Sequence, residues 1–465
     1  MIEESEFLEL LTIFGGNKGQ RSSQAVRGTG LSKPHGSQAT VNEAWDQPSG
    51  CLKMEMEAPF SRVRIWVFNR GANGSSNWEF AVAATEKGGP DGSVANTFYP
   101  WKGGVSNNAL QDATHDWGWQ RVTFGMGGIG QSGLIDPGLN PNYASGKLYP
   151  STEMRQAYQQ SATTQALGDV LVSDWVNCQS IQPAAPGPAG LSRPYLLVRT
   201  HCLKGGFPTE KVDNYVVSAA IVKAEYDAWV AGSKAKRLTY YRGITGGDPT
   251  TTFTLVPSAA GAPDGSLASQ NYPYIAVEVE YTVKVRSFAC FGDSNTEGYN
   301  WPFDAILQMS TPDAPYTSAN FGMSTNRSVQ YFSMMDAVLK RGLRPTDVLI
   351  PSHSTNDAPA TVYDFDQLRV QLLERIKLCN DLAITPWIWT HFYGVVKGAG
   401  DPANNVAEAA YLDWVRALCA AGKAKLVDIA KGWDRASMRA ADNTHPNATG
   451  IAYCTGVFLS ALQAG

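Results

Sequence analysis

Between a strand-like run at residues 283–290 and a helix-like run at 297–309 lies the segment Phe291-Gly292-Asp293-Ser294-Asn295-Thr296-Glu297-Gly298. The first run alternates and then becomes continuously apolar, as a buried strand does. A tight turn between a strand and a helix places a serine hydroxyl at the edge of a sheet, where the N–H groups of the helix start also converge. However, Gly, Asp and Ser are all common turn residues, so this tripeptide alone favours an ordinary turn.

The residues after Tyr281 alternate between strand-like and helix-like runs. Strands are predicted at 283–290, 346–351, 385–390 and 425–429, and helices at 325–341, 364–380, 403–421 and 447–462. This alternation with short connections predicts a parallel α/β sheet covered by helices on both faces. Ligand sites in such sheets lie at the carboxyl ends of the strands, and Ser294 follows the first of them.

A serine becomes a nucleophile when a base takes its proton, and the chain has six histidines that could serve, at 35, 115, 201, 353, 391 and 445. His445 lies just before the last predicted helix, and Asp442 precedes it by three residues. A carboxylate at that spacing in a turn can reach the imidazole and fix its tautomer and orientation. The residues around His445 also suit a helix start, so a capping turn explains this segment equally well on its own.

Two further turns offer hydrogen-bond donors. Attack on a carbonyl places negative charge on its oxygen, which needs fixed donors nearby. Gly322 offers a backbone N–H in the segment 320–324, and Asn356 offers a side-chain amide after the predicted strand 346–351. Taken singly, each is more often an ordinary turn.

Taken together and in this order, the four segments resemble the four sequence blocks of the SGNH (GDSL) hydrolase superfamily. The blocks are Gly-Asp-Ser at 292–294, Asn-x-Gly at 320–322, x-x-Asn-Asp at 354–357 and Asp-x-x-His-Pro-Asn at 442–447. The resemblance covers residues 284–465 and implies a flavodoxin-like three-layer α/β/α sandwich. It implies that Ser294 is the nucleophile, that His445 is the general base and later the acid, and that Asp442 orients His445.

The same resemblance implies an oxyanion hole formed by the N–H of Ser294, the N–H of Gly322 and the amide of Asn356. The family usually has Gly where this chain has Ser354, which leaves the geometry around Asn356 open. We expect an acyl-enzyme on Ser294 that water then hydrolyses, with no cofactor and no metal.

Four residues are further candidates for the substrate pocket. Asp293 and Asn295 flank the serine in the sequence, and Ser354 lies two residues before Asn356. His391 ends the predicted strand 385–390, at the edge where Ser294 is expected.

The first half of the chain has a different pattern. Residues 38–282 contain short alternating runs separated by long Gly- and Pro-rich segments, with strands predicted at 51–57, 61–68, 119–124, 169–176, 194–200 and 275–285. The pattern predicts an all-β sandwich and looks like the jelly-roll domain that precedes some bacterial SGNH esterases. We therefore expect three parts: a helix and arm at 1–37, the β-sandwich domain at 38–282 and the hydrolase domain at 283–465.

Composition excludes several classes of protein. The net charge is −4 with no basic tract, so a nucleic acid is not an expected partner. No apolar run reaches the roughly 18 residues of a membrane span, and the acidic start of the chain is unlike a secretory signal. The sequence therefore predicts a soluble protein of unknown location, either cytoplasmic or, if derived from a phage, associated with a virion or surface.

These observations predict a serine esterase that removes acyl groups, acetyl being favoured, from a carbohydrate. A hydrolase of lipids or small esters is an alternative. So is a phage or surface protein that recognises glycans and trims its receptor. The expected partner is a small ester or an acylated glycan, and a homo-oligomer is left open because the apolar positions of residues 5–14 suit a helix that packs on a neighbouring subunit.

Overall fold

The structure is a computed structural model. It describes residues 24–28, 34–39, 49–68, 78–85, 120–122, 134–135, 170–178, 195–202, 209–212, 238–245, 254–255, 271–272, 274–297, 299, 301–311, 313–322, 326–357, 364–392, 402–442 and 444–465. The chain divides into two compact units, one of Met1–Ala25, Arg286–Met309 and Phe321–Gly465, the other of Val26–Val285 and Ser310–Asn320.

The first half of the chain contains strands in its described residues. They are β1 (Gln24–Gly28), β2 (Pro34–Ala39), β3 (Ser49–Glu55), β4 (Phe60–Phe68), β5 (Trp78–Thr85), β6 (Gln120–Arg121), β7 (Leu134–Ile135), β8 (Val170–Val172), β9 (Val176–Asn177), β10 (Tyr195–Cys202), β11 (Thr209–Val212), β12 (Leu238–Thr245), β13 (Thr254–Leu255), β14 (Asn271–Tyr272) and β15 (Tyr274–Tyr281). They form one sheet in the order β1-β15-β4-β8 with β9 also on β4, a second in the order β13-β12-β3-β10-β5-β6 with β7 also on β5, and a third in the order β14-β11-β2.

Each of the six strands predicted in this half overlaps an observed one. Strand β1 and most of β2 lie in the segment 1–37 that the sequence predicts as a helix and arm, and the predicted helix at 5–14 lies outside the described residues. The sandwich with jelly-roll topology stays a prediction.

The pairing of β4 with β15 shows why alternation predicts these strands. Val63 and Ile65 are fully buried, whereas the side chains of Arg62 and Arg64 lie on the other face. In the antiparallel register Arg62 lies opposite Glu280 and Arg64 opposite Glu278. Salt bridges of 2.7 and 2.6 Å join these cross-strand pairs, so charge complementarity as well as burial fixes the register.

The second half of the chain alternates strands and helices, and its described elements begin with β16. The strands are β16 (Arg286–Gly292), β17 (Tyr316–Gly322), β18 (Asp347–Pro351), β19 (Thr385–Trp389) and β20 (Lys425–Val427). The helices are α1 (Ser294–Glu297), α2 (Trp301–Met309), α3 (Ser328–Lys340), α4 (Phe365–Asp381), α5 (Pro402–Ala420), α6 (Arg435–Met438) and α7 (Ala448–Ala464), with a 3₁₀ turn at Ala430–Gly432.

These strands form a five-stranded sheet in the order β17-β16-β18-β19-β20. The pairs β16–β18, β18–β19 and β19–β20 are parallel. The predicted mixed α/β fold with a parallel sheet is thus confirmed, while the three-layer flavodoxin-like arrangement stays a prediction. Two boundaries differ from the expectation: β15 ends at Tyr281 and β16 starts at Arg286. Residues 282–284 between them are exposed, although the alternating pattern of the sequence continues through them.

Aromatic side chains join the sheet to helices α2 and α7. The ring of Phe458 in α7 lies 5.9 Å from Phe288 of β16, 5.9 Å from Trp387 of β19 and 6.0 Å from Trp301 of α2. The near-perpendicular arrangement of these rings is typical of packed aromatic cores. Burying several large aromatic residues fixes the sheet on which the site is built.

The amino ends of β16 and β18 are held by a paired charge. Arg286 donates to both carboxylate oxygens of Asp347 at 2.8 Å, and the indole of Trp387 donates to the same carboxylate at 2.8 Å. A bidentate guanidinium–carboxylate pair is geometrically specific. It fixes the register of the strands at the end of the sheet opposite Ser294.

In the described residues, no helix is long and apolar enough to cross a membrane. The described cysteines at 178, 290, 379, 419 and 454 are free and buried. Burial raises the pKa of these thiols, which suits a packing role.

Candidate active site

The candidate residues come from one edge of the parallel sheet. Since β16, β18 and β19 run in the same direction, their carboxyl ends lie at the same edge. Ser294 follows β16, residues 352–357 follow β18 and His391 follows β19 by two residues. The sheet topology therefore brings together segments that are far apart in the sequence.

The turn before the serine requires a glycine. Gly292 has φ +156°, and a Cβ atom placed on it would lie 2.1 Å from Oγ1 of Thr296. The carbonyl of Asp293 accepts hydrogen bonds from the N–H groups of Thr296 and Glu297, which begins α1 directly at the serine. Any larger residue at position 292 would displace α1 and with it the Ser294 hydroxyl.

Ser294, His445 and Asp442 form one hydrogen-bonded chain. Oγ of Ser294 lies 2.8 Å from Nε2 of His445, and Nδ1 of His445 lies 2.6 Å from Oδ2 of Asp442. A carboxylate only accepts hydrogen bonds, so Nδ1 carries the proton and Nε2 is left to accept the proton of the serine hydroxyl. This is the geometry of a nucleophile, a general base and the residue that orients the base.

Asp442 is kept ionised by its neighbours. Its partial burial alone would raise its pKa, but hydrogen bonds from the His445 ring and from the N–H groups of His445 and Thr444 outweigh burial and lower the pKa to about 2. Asp442 therefore carries its negative charge at neutral pH, and it lies where it could stabilise a positive charge on the His445 ring.

Hydrogen bonds from the Asn447 side chain fix both ends of the loop that carries His445. The Asn447 side chain caps α7 by accepting from the N–H of Gly450 at 3.0 Å. Its amide group donates to the carbonyls of Ser437 and Arg439, at 2.8 and 3.0 Å. One side chain thus fixes both the start of α7 and the segment 437–439 that leads into the loop. The predicted capping turn and the predicted catalytic turn are therefore the same structure.

Sequence reasoning missed Tyr299. Its ring stacks on the His445 imidazole with centroids 5.1 Å apart and an interplanar angle of 28°. Half-burial, and then the charges of Asp442 and Glu297, raise the pKa of Tyr299 to about 12, so the phenol stays neutral. No pattern in the sequence marks this residue, because the contact depends on the position of His445 in the fold.

Three of the pocket candidates lie in a buried cluster next to Ser294. Asp293, Asn295 and Ser354 have no exposed side-chain surface. One carboxylate oxygen of Asp293 accepts from the N–H of Asn295 at 2.9 Å, and the other accepts from the Ser354 hydroxyl at 2.7 Å and the Thr355 N–H at 3.2 Å. The cluster connects the turn that carries Ser294 to the segment after β18, so these buried side chains help to fix the position of Ser294.

His391, the fourth pocket candidate, belongs to the same buried layer. It is fully buried, its Nε2 atom lies 3.4 Å from the Asn295 amide and 3.8 Å from the Asp293 carboxylate, and its ring lies 5.1 Å from that of His353. Burial is the main cause that lowers its pKa well below the usual value, and His353 and Arg439 lower it further. His391 is therefore neutral and packs behind the serine.

The two remaining oxyanion candidates follow the neighbouring strands. Gly322 ends β17, which lies beside β16, and is buried. The amide of Asn356 donates to the carbonyl of Asn326 at 3.1 Å. Nearby, Asp357 accepts from the N–H of Ser328 at 2.6 Å and from the N–H of Ser354 at 2.9 Å, which ties the Asn356 turn to the first residue of α3. Burial raises the pKa of Asp357.

Among the described residues, no group of three or more His, Cys, Asp or Glu side chains has the arrangement of a metal site. The chemistry that the described site supports is proton transfer between a serine and a histidine beside a set of hydrogen-bond donors.

Comparison with known proteins gives a result at the level of structure only. No known family model matches the chain, and no curated protein matches it. Solved structures do match 38% of the chain. The matching structures include a lipolytic protein of the G-D-S-L family and two esterases.

Three of these structures illustrate the likeness. A lipolytic protein of the G-D-S-L family from Veillonella parvula is 17% identical, with 98% of its own chain covered and a TM-score of 0.33. A catalytic mutant of an acetylxylan esterase from Geobacillus stearothermophilus is 18% identical, with 94% covered and a TM-score of 0.31. A psychrotrophic esterase from Pseudoalteromonas is 13% identical, with 97% covered and a TM-score of 0.31. Each covers 38% of this chain.

Proposed function

We propose that the protein is a serine esterase that cleaves carboxylic esters through an acyl-enzyme on Ser294. The observation that supports this most directly is the continuous hydrogen-bonded chain from Ser294 through His445 to Asp442, with distances of 2.8 and 2.6 Å. Its donor and acceptor order leaves Nε2 of His445 unprotonated toward the serine, which is what a general base needs.

The reaction proceeds in two halves. The Ser294 hydroxyl attacks the ester carbonyl while Nε2 of His445 takes its proton, and the same proton then passes to the departing alcohol. Water next attacks the acyl-serine, His445 takes a proton from it, and the acid leaves as Ser294 regains its proton. Asp442 stays ionised throughout and stabilises the imidazolium.

Charge stabilisation is assigned to the N–H of Ser294, the N–H of Gly322 and the amide of Asn356. Ser294 follows β16 by two residues, and Gly322 ends the neighbouring strand β17. Asn356 lies in the turn after β18, the strand on the other side of β16. This strand order supports the proposal, because each donor belongs to β16 or to a strand beside it or follows such a strand. Removing one such donor typically raises the barrier by about 3 kcal/mol.

For the substrate, we propose an acetyl ester on a carbohydrate. This follows the sequence-based expectation that the β-rich first half accompanies a carbohydrate esterase. The alternative is an enzyme that hydrolyses esters with longer acyl chains, and the experiment below distinguishes the two.

A series of p-nitrophenyl esters from acetyl to long acyl chains tests both levels of the proposal. We expect hydrolysis of the acetyl ester, with kcat reduced about 1,000-fold or more in Ser294→Ala. Ser460→Ala is the matched control, because this exposed serine in α7 bonds only to the Gly456 carbonyl of its own helix among the described contacts. Wild-type turnover in Ser294→Ala would overturn the esterase mechanism, and cleavage of long chains alone would overturn deacetylation.

A further inference from the structure

Ser354 occupies the position at which the resembled family has glycine, and its hydroxyl is at the centre of the buried cluster. It has no exposed surface. Its Oγ lies 2.7 Å from the Asp293 carboxylate and 2.6 Å from the Asn326 carbonyl, and it accepts from the N–H of Asn356 at 3.0 Å. A single hydroxyl thus contacts the nucleophile turn, the chain before α3 and the oxyanion turn.

The donor and acceptor capacity of this hydroxyl explains what it can fix. A serine hydroxyl has one proton and two lone pairs, so it donates to Asp293 or to Asn326 at any moment while it accepts from Asn356. A glycine would remove both functions: the Asn356 N–H would lose its acceptor, and the Asp293 oxygen would keep the Thr355 N–H but lose its shortest hydrogen bond. Buried polar groups without a partner are costly, so the turn would shift to repair the loss.

Asn356 is held at two points that both depend on this arrangement. Its backbone N–H donates to Ser354, and its side-chain amide donates to the Asn326 carbonyl at 3.1 Å. Because the amide group has two N–H bonds, one is used to fix its rotation and the other stays available for a substrate oxygen. The Asn326 carbonyl that fixes the amide is also an acceptor for Ser354.

We propose that Ser354 is a positioning residue for the oxyanion hole, which holds the Asn356 amide in place and couples it to Asp293 beside the nucleophile. This inference rests on the proposed esterase function. Oxyanion donors act in the transition state and are effective when they are fixed before the reaction, so a loosened Asn356 weakens transition-state binding more than substrate binding. At the position where the resembled family has glycine, this chain therefore has a hydroxyl that fixes the Asn356 backbone.

A purely structural role makes a different prediction. If Ser354 only stabilised the fold, its removal would lower the free energy of unfolding while each folded molecule kept its kcat. A positioning role lowers kcat in molecules that are fully folded and leaves KM nearly unchanged.

The test uses the full-length protein with Ser354→Ala and Ser354→Gly, the second of which restores the family's residue. The assays are kcat and KM for p-nitrophenyl acetate and the inhibition constant of phenylboronic acid, which adds to the serine and presents an oxygen to the oxyanion hole. We expect kcat to fall about 10- to 100-fold in both variants, KM to change less than about twofold, and boronic acid affinity to fall in parallel with kcat.

Ser287→Ala is the control for loss of a buried serine hydroxyl. Ser287 is equally buried, and its hydroxyl accepts from the N–H of Thr346 at 3.1 Å at the amino end of β16, away from the site. We expect it to destabilise the protein and to keep the wild-type kcat. If either folded Ser354 variant keeps kcat within twofold of Ser287→Ala while Ser294→Ala is inactive, the inference is wrong and the esterase function stands. If the wild-type protein hydrolyses no ester, the proposed function itself fails.

Discussion

The imidazole of His445 is held from two directions. Asp442 accepts the Nδ1 proton at 2.6 Å, and the Tyr299 ring stacks on the imidazole at 5.1 Å. The hydrogen bond fixes the tautomer, whereas the aromatic face of Tyr299 limits rotation of the imidazole ring. The two contacts therefore stabilise different properties of the same base.

At this scale we predict that Tyr299→Leu lowers kcat about 3- to 10-fold, since an aromatic contact of this kind is worth about 0.5–1.5 kcal/mol. Tyr299→Phe keeps the ring and should keep most of the activity. Because the pKa of Tyr299 is raised to about 12, its titration does not enter the pH range of an assay at pH 6–9. Steady-state kinetics of the two variants measure the effect, and equal losses in both would show that the hydroxyl rather than the ring matters.

At the scale of elements, helix α7 and the segment that leads to His445 pack too closely to admit a side chain between them. A Cβ on Gly450 would lie 2.3 Å from the Met438 carbonyl and 2.8 Å from the Trp433 ring. Gly450 also donates the N–H that the Asn447 side chain caps. The position of α7 therefore determines the path of the loop that ends at His445.

We predict that Gly450→Ala lowers both kcat and the free energy of unfolding, the latter by about 1–3 kcal/mol, because the added methyl group forces the loop away from the helix. Gly456→Ala in the same helix is the matched control, since a Cβ there meets no atom within 4 Å. It should leave kcat unchanged and stabilise the helix by about 0.5–1 kcal/mol. Urea unfolding and ester hydrolysis measure the two quantities, and equal behaviour of the two variants would contradict the packing argument.

Two strands show how much of the second half of the chain can be predicted from the sequence. The strand β18 is uniformly apolar in its centre and lies at 347–351 where 346–351 is predicted. By contrast, β17 escapes prediction because it buries polar residues, Thr317, Ser318 and Asn320, and has no apolar period. The contacts of Tyr299 and Ser354 escape for a related reason: their partners are brought close only by the tertiary fold, since Ser354 and Asp293 are 61 positions apart in the chain.

At the scale of the whole molecule, burial of a neutral histidine makes stability depend on pH. Burial lowers the pKa of His391 well below its usual value in the native state, whereas in the unfolded chain it titrates near the ordinary value of about 6.5. Below that pH the unfolded state binds a proton that the native state does not bind. Stability from this group is therefore complete above about pH 6.5 and declines as the pH falls.

We predict that the free energy of unfolding of the wild-type protein falls more steeply between pH 6.5 and pH 5 than that of His391→Phe, the difference approaching about 1.4 kcal/mol per pH unit. Phe392→Leu is a control at the adjacent buried position, which should lower stability equally at each pH. Urea unfolding across this range gives the slopes. Identical slopes for the wild-type protein and His391→Phe would show that His391 is charged in the native state.

The catalytic chain joins one contact made within a turn to one made across the fold. Asp442 and His445 are three residues apart, whereas Ser294 and His445 are 151 residues apart. The acid and base can therefore meet in any conformer that forms the turn, but the nucleophile meets them only when sheet and α7 have docked. The rate of ester hydrolysis is thus proportional to the number of molecules whose tertiary structure is intact. On heating or in denaturant, we expect hydrolysis to be lost when tertiary packing breaks down, before the local structure around His445 disappears.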